Sequence, residues 1–392
     1  MDKKIYIEPP WKMHSYYRGL MANHPQGYTF VALESPQSKV MQTASKFNIT
    51  YSLFIILNKI VPVNIAKSYL DKFRHLPDDI ALTYAFDHIV CRKEPWVVDV
   101  EFVNLLVGYY NSRYFKRSKG ILEKALASAS CKKIICGTET AKQSILLNLD
   151  CKDFSHKFGI VPFATQKKNF TKKFGVEKIK LLFVGSGNIL GSFNMKGGRE
   201  TLEAFTLLTK QYNNLELVVR SDVPQGILKE YGVYSNIRII NKNIPWSDLE
   251  REFLTADIFV LPVHCTPFSV FLDAMSYELP IVTIDAWANP EVVEDGKTGL
   301  LVRKSESVLY YVKDTLPGFA TPQFFRSIRK SDPRVVNELA EKISILIENP
   351  ELRRGLGKAG RWEVELGKFS IENRNNKLKR ILDEATDDTS LY

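Results

Sequence analysis

Three short segments in the second half of this 392-residue sequence hold residue types suited to a phosphate-bearing ligand. The first is Gly185-Ser186-Gly187-Asn188, after the apolar run IKLLFV at 179–184, followed by Asn194-Met195-Lys196-Gly197-Gly198. Glycines let a phosphate approach the backbone, and Lys196 adds a cation beside it. The second is HCTPFSVFLDAM at 264–275, after the run DIFVLP. Pro267 and Phe268 lead into a helix whose first amides, near Ser269 and Val270, suit a diphosphate. Asp273, about one turn further in, suits the hydrogen-bond donors of a ribose diol. The third is DAWANPE at 285–291 with DGKTGLLV at 295–302. Each segment read alone equally fits an ordinary glycine turn or a helix start with a solvated aspartate.

These segments need a sheet to line them up. In the second half, strands are expected at 179–184, 215–220, 237–240, 257–262, 280–284 and 299–302, alternating with helices at 198–212, 246–255 and 269–277. The first half shows the same alternation. Its strands are expected at 4–8, 28–33, 80–82, 88–91, 96–100, 133–136 and 159–161, with helices near 16–23, 121–128 and 140–149. Strand and helix in alternation imply parallel α/β sheets, and ligands on such sheets bind beyond the carboxyl ends of the strands. The polar stretch 166–178 reads as a linker. The expected organisation is one Rossmann-like domain over 1–168, a second over 169–368, and a terminal helix over 369–392 with Ser370 as its cap, whose destination the sequence leaves open, a return to the first domain being one option.

Composition fits two ordinary cores: 45% of residues are hydrophobic and 25% charged. Charge is unevenly placed. Residues 1–168 hold 24 Lys/Arg against 14 Asp/Glu, and the remainder holds 30 of each, so the whole net charge of +10 sits in the first half. A one-sided basic surface suits an anionic partner such as membrane headgroups, a lipid-linked phosphate or an acidic glycan, although a basic surface is also compatible with no partner. The start MDKKIYIEPPW has no secretory pattern, and the most apolar stretch, 51–66, carries Lys59 and Pro62 and is short for a span, so a cytoplasmic chain is expected, with this stretch either buried or lying on a membrane surface. Five cysteines without C-x-x-C spacing read as reduced thiols.

Taken in order, FVGSGN, MKGGRETLEAF, LELVV, ADIFVLPVHCTPFSVFLDAM, LPIVTIDAWANPEVVEDGKTGLLV and ENPELRRGLGKAGR resemble the family 4 retaining glycosyltransferases of the GT-B fold. The first half resembles them more loosely, in PWVVDVE, KKIICGTETAKQSILL and GIVPFAT. The resemblance implies two Rossmann-like doubly wound domains facing a central cleft. It also implies transfer of a hexose from a nucleotide diphosphate sugar, such as a UDP- or GDP-sugar, with retained configuration and no metal or cofactor, to a glycan or lipid-linked acceptor. Such an enzyme must chiefly stabilise the departing diphosphate. Lys196 matches the family's phosphate-binding lysine, and Asp273 stands where its second, ribose-binding glutamate falls. Cys265 stands at the first glutamate and Ser186 at the family's arginine, with Arg220 at the end of LELVVR as a candidate replacement. A degenerate member that binds a nucleotide or glycan without turnover is the competing reading.

The family often carries a histidine six residues after the proline opening the corresponding first-half strand; counting from Pro95, that place is Glu101. A carboxylate there would bind an acceptor hydroxyl or steady positive charge on the sugar. Asp99 is the second candidate, and His88 and His14 are further ones. Acceptor or membrane contact is expected from YYNSRYFKRSK at 109–119, through Arg113, Lys116, Arg117 and Lys119 among aromatics. Aromatics with cations also bind single-stranded nucleic acid, but no nucleic-acid motif accompanies these.

Overall fold

The structure is a computed structural model that describes residues 2–8, 15–32, 62–72, 75–108, 112–172, 178–185, 192–312, 315–319 and 321–387. Ser186, Gly187, Asn188, His14 and most of 51–66 lie outside them. The chain divides into two compact units. One holds 1–163, 311–321 and 371–392; the other holds 164–310 and 322–370.

Among the described residues of the first unit, six strands form one parallel sheet: β1 (Lys3–Ile7), β2 (Tyr28–Val31), β3 (Ile80–Phe86), β4 (Trp96–Val100), β5 (Cys131–Cys136) and β6 (Phe158–Ile160). Their order is β2-β1-β3-β4-β5-β6. β4, WVVDV, is buried at every position, as a central strand covered on both faces must be. On one face, Val98, Val100 and Ile134 pack with Leu122 and Leu126 of the helix Ser112–Ala127. On the other, Tyr84, Val97 and Ile135 pack with Leu20 of the helix Ser15–Ala22 and with Leu378 and Leu382 of the terminal helix Ile371–Thr386. That terminal helix is pinned by Arg374, which donates to the Asn23 carbonyl at 2.7 Å.

One expected strand is absent. Residues 88–91 form no strand; they follow β3, which is longer than expected, in an irregular turn. Ile89 and Val90 are buried there without strand pairing, so their apolar character reflects core burial and not sheet periodicity.

The second unit has the sheet order β12-β11-β10-β7-β8-β9, with β7 (Ile179–Val184), β8 (Leu215–Arg220), β9 (Ile237–Ile240), β10 (Ile258–Val260), β11 (Ile281–Ile284) and β12 (Gly299–Val302), all parallel. In each sheet the strand order reverses at one place: between β1 and β3 in the first, and between β7 and β10 in the second. Connections there leave to opposite faces, and this opens a crevice at the carboxyl ends. Among the described residues of this unit, the helices Ser192–Met195, Gln225–Tyr231, Pro322–Ser327, Pro333–Glu348 and Pro350–Glu365 carry no expectation from the sequence. Among the described residues no helix is long and apolar enough to cross a membrane.

Candidate functional site

At the switch point of the second sheet, β7 ends at Val184 before Gly185, and the loop after β10 carries residues 261–267. Two features fix Lys196 between them. Gly197 adopts a left-handed φ of +74°, and a Cβ there would lie 2.2 Å from the Pro262 carbonyl oxygen, so only glycine fits. The His264 amide donates to the Met195 carbonyl at 2.9 Å, tying the β10 loop to the lysine turn. Lys196 is half-buried, and among the described residues no carboxylate pairs with its ammonium. Burial holds its pKa down to about 8, with Cys265 the one neighbouring group that pulls it back up. The structure therefore places Lys196 beside the loop that carries Cys265.

Asp273 lies half-buried in the second turn of the helix Phe268–Ser276. Burial pushes its carboxyl up to about 7, and Lys168 opposes this. At the helix start the Val270 amide is already taken by the Pro267 carbonyl at 3.2 Å, so Val270 does not offer the amide expected of it. Ser269 is the exposed position there. Arg220, at the end of β8, donates to the Gly185 carbonyl at 2.7 Å and to Asn243 Oδ1 at 2.6 Å. Its guanidinium thus holds the β7 turn in place.

Several supports were not legible in the sequence. His264 is buried, with Nδ1 2.9 Å from the Tyr310 hydroxyl and Nε2 3.4 Å from Glu200 Oε1. The loop after β11 is laced onto the loop after β10: Trp287 Nε1 donates to the His264 carbonyl at 2.9 Å, and Asn289 Nδ2 to the Val263 carbonyl at 3.1 Å. Trp287 is held at φ +53°, an unusual conformation for a bulky residue and one that clusters at ligand sites.

In the first unit, Asp99 and Glu101 stand at the carboxyl end of β4, with Asp87 beside them at the end of β3. Asp99 is 4% exposed, accepts from the Tyr84 hydroxyl at 3.0 Å, and is pushed up to about 7 by burial. The Glu101 amide donates to Asp87 Oδ1 at 2.9 Å. Burial raises the carboxyls of both Glu101 and Asp87, and each of the two like charges opposes the other's ionisation. Asp87, at φ +49°, has no sequence signal beyond following a strand. His88 is buried, with Nδ1 2.6 Å from the Phe86 carbonyl and Nε2 3.5 Å from Glu8 Oε2. On the helix Ser112–Ala127, Lys116 and Arg117 are exposed, while Lys119 pairs with Glu123 at 3.7 Å. Tyr109 lies outside the described residues, as does Tyr110.

Residues 178–313 match the family model described as glycosyl transferases group 1. This segment is similar to a group 1 glycosyl transferase domain. The domain spans the whole of the second sheet together with Lys196, Cys265 and Asp273. The chain is 25% identical over 255 residues to the capsular polysaccharide biosynthesis glycosyltransferase CapM of Staphylococcus aureus, covering 61% of this chain and 58% of that one. In structure it resembles TarM, with a TM-score of 0.57 at 16% identity over 81% of this chain and 57% of that one. It also resembles HepE of Anabaena in complex with UDP-glucose, with a TM-score of 0.59 at 10% identity over 98% and 100% of the two chains. The chain thus spans less than two thirds of CapM and of TarM. The fold is GT-B, two doubly wound halves each on its own parallel sheet.

Proposed function

We propose that the chain is a retaining, metal-independent hexosyltransferase that moves a sugar from a UDP- or GDP-sugar to a glycan or lipid-linked acceptor. The observation that carries the reading is Lys196, a half-buried ammonium with no carboxylate partner among the described residues, fixed by Gly197 at the switch point of the group 1 domain. A desolvated cation is costly unless an anion joins it, and a leaving diphosphate is such an anion. In this reading the diphosphate sits between Lys196 and the start of the helix Phe268–Ser276, the ribose meets Asp273, and the sugar lies toward Cys265. Glu101 meets the acceptor hydroxyl, with Asp99 and Asp87 behind it. HepE crystallised with UDP-glucose, and CapM named for capsular polysaccharide synthesis, support a nucleotide-sugar donor and a glycan product.

The test is incubation with UDP- and GDP-hexoses, following free nucleotide and the anomeric proton of any product by NMR. Release of nucleotide with an α-linked product from an α-linked donor is the expected result. Donor binding without release of nucleotide from any donor would favour the degenerate reading instead, for which Cys265 in place of a carboxylate is the motive.

The charge asymmetry adds an expectation about where the acceptor is met. The first unit should attach to vesicles containing anionic lipid, weakly and in a salt-sensitive way, through the face bearing Lys116 and Arg117. Sedimentation with anionic and with neutral vesicles separates this from an idle basic surface, for which the two would bind equally.

A further inference from the structure

The switch point of the first sheet holds a second cluster that the transfer reading does not use. Glu8 follows β1, His88 follows β3, and Asp71 closes the helix Val63–Asp71. One ligand atom from each lies within 4.8 Å of the others. Glu8 and His88 are 1% and 3% exposed.

The proton count of this cluster is incomplete. His88 Nδ1 lies 2.6 Å from the Phe86 carbonyl oxygen, which only accepts, so that nitrogen carries a proton. Lys67 Nζ lies 3.3 Å from His88 Nε2, and an ammonium only donates, so Nε2 presents its lone pair. That lone pair also faces Glu8 Oε2 at 3.5 Å. Two acceptors in contact in a buried place repel unless a cation lies between them. The cations present stand off: Lys67 is 3.8 Å from Glu8 Oε1 and Arg92 is 3.6 Å from Oε2, beyond the 2.7–2.9 Å of a good charge-assisted bond. Neither buried oxygen of Glu8 makes a hydrogen bond of good geometry among the described residues; its partners, His88, Arg92 and Lys67, stand 3.5, 3.6 and 3.8 Å away.

We propose that Glu8, Asp71 and His88 form a binding site for a divalent first-row transition ion such as Zn2+, in which the metal displaces the Lys67 ammonium. Ligand atoms on one tetrahedral ion with bonds of about 2.0–2.1 Å stand roughly 3.4 Å apart, close to the observed separation of His88 Nε2 and Glu8 Oε2. One imidazole and two carboxylates suit Zn2+ or Mn2+ over softer ions. A metal-bound histidine usually gives its other N–H to a carbonyl or carboxylate, and Phe86 fills that role. The ion would tie the ends of β1 and β3 to the helix Val63–Asp71. Lys67 and Arg92 compete with it by charge, so removing the Lys67 ammonium by substitution is expected to leave binding as tight or tighter.

The experiment uses the full chain, stripped with chelator and titrated with ZnCl2, and with CoCl2 as a visible-spectrum probe. The expected result is one ion per chain, a ligand-field band with Co2+, and a Tm raised by about 5 °C at a hundredfold excess over Kd. Glu8→Gln and His88→Gln, near in shape to the originals, should each weaken binding at least tenfold. Lys67→Met should bind as tightly as the parent chain or more so. No stoichiometric binding, equal binding by the Glu8→Gln chain, or loss of binding in Lys67→Met would each overturn the site. Donor binding by the second unit is expected to be the same with and without chelator, so failure here is separable from failure of the transferase reading.

Discussion

Lys196→Ala should lower donor affinity or turnover at least tenfold, measured by titration with UDP- and GDP-sugars and by initial rates. A charge-assisted contact to the diphosphate contributes roughly 1.5–3 kcal/mol, which is about one to two decades in binding. The folded chain should tolerate the change. Burial holds the Lys196 ammonium at about 8, below its unfolded value, so at neutral pH the charge works against folding. The unfolded chain binds more protons between about 8 and about 10.4, so this group's share of stability rises with pH across that window. Lys196→Met should therefore keep or raise Tm while losing the donor. Donor affinity of the parent chain should fall as pH rises through about 8, where the ammonium is lost. A Lys196→Met chain with full donor affinity would remove the residue from the site.

The second large effect is expected far from any chemistry, at Leu382. Its side chain and that of Leu378 are fully buried against Ile5, Tyr84, Val97 and Ile135 of the first sheet. Leu382→Ala should cost about 2–5 kcal/mol, as a large-to-small change in a packed core does. In thermal unfolding this is a drop of about 5–15 °C in the transition of the first unit. A chain ending before Ile371 should fail to hold that unit together, because Arg374, Leu378 and Asp383, which accepts from the Tyr28 hydroxyl at 2.7 Å, all leave with the helix. An unchanged Tm in Leu382→Ala would show that the helix is not part of this core.

Legibility in the sequence followed burial. The strands 179–184, 215–220, 237–240 and 299–302 coincide with β7, β8, β9 and β12; β7 and β8 are central strands whose mostly buried positions read as apolar runs, while β9 and β12 are edge strands bounded by turns. The same signal misleads at 88–91, where Ile89 and Val90 are core residues in a turn. The helices Pro333–Glu348 and Pro350–Glu365 had readable starts: Asp332 and Asn349 each precede a proline, and each accepts from an amide of the first turn. Lys196, Cys265 and Asp273 were named from motif order, which puts Lys196 after β7 and both Cys265 and Asp273 after β10 of one sheet. Asp87, Glu200 and the Glu8–His88 contact were not. They meet only through sheet pairing such as Ile7 beside Tyr84, or through a single left-handed backbone angle, and neither leaves a pattern along the chain.

The most direct test of the central claim is a crystal structure of the full chain grown with UDP or GDP. The account predicts the diphosphate against Lys196 and the start of the helix Phe268–Ser276, with the ribose at Asp273. A nucleotide bound elsewhere, with Lys196 untouched, would contradict it.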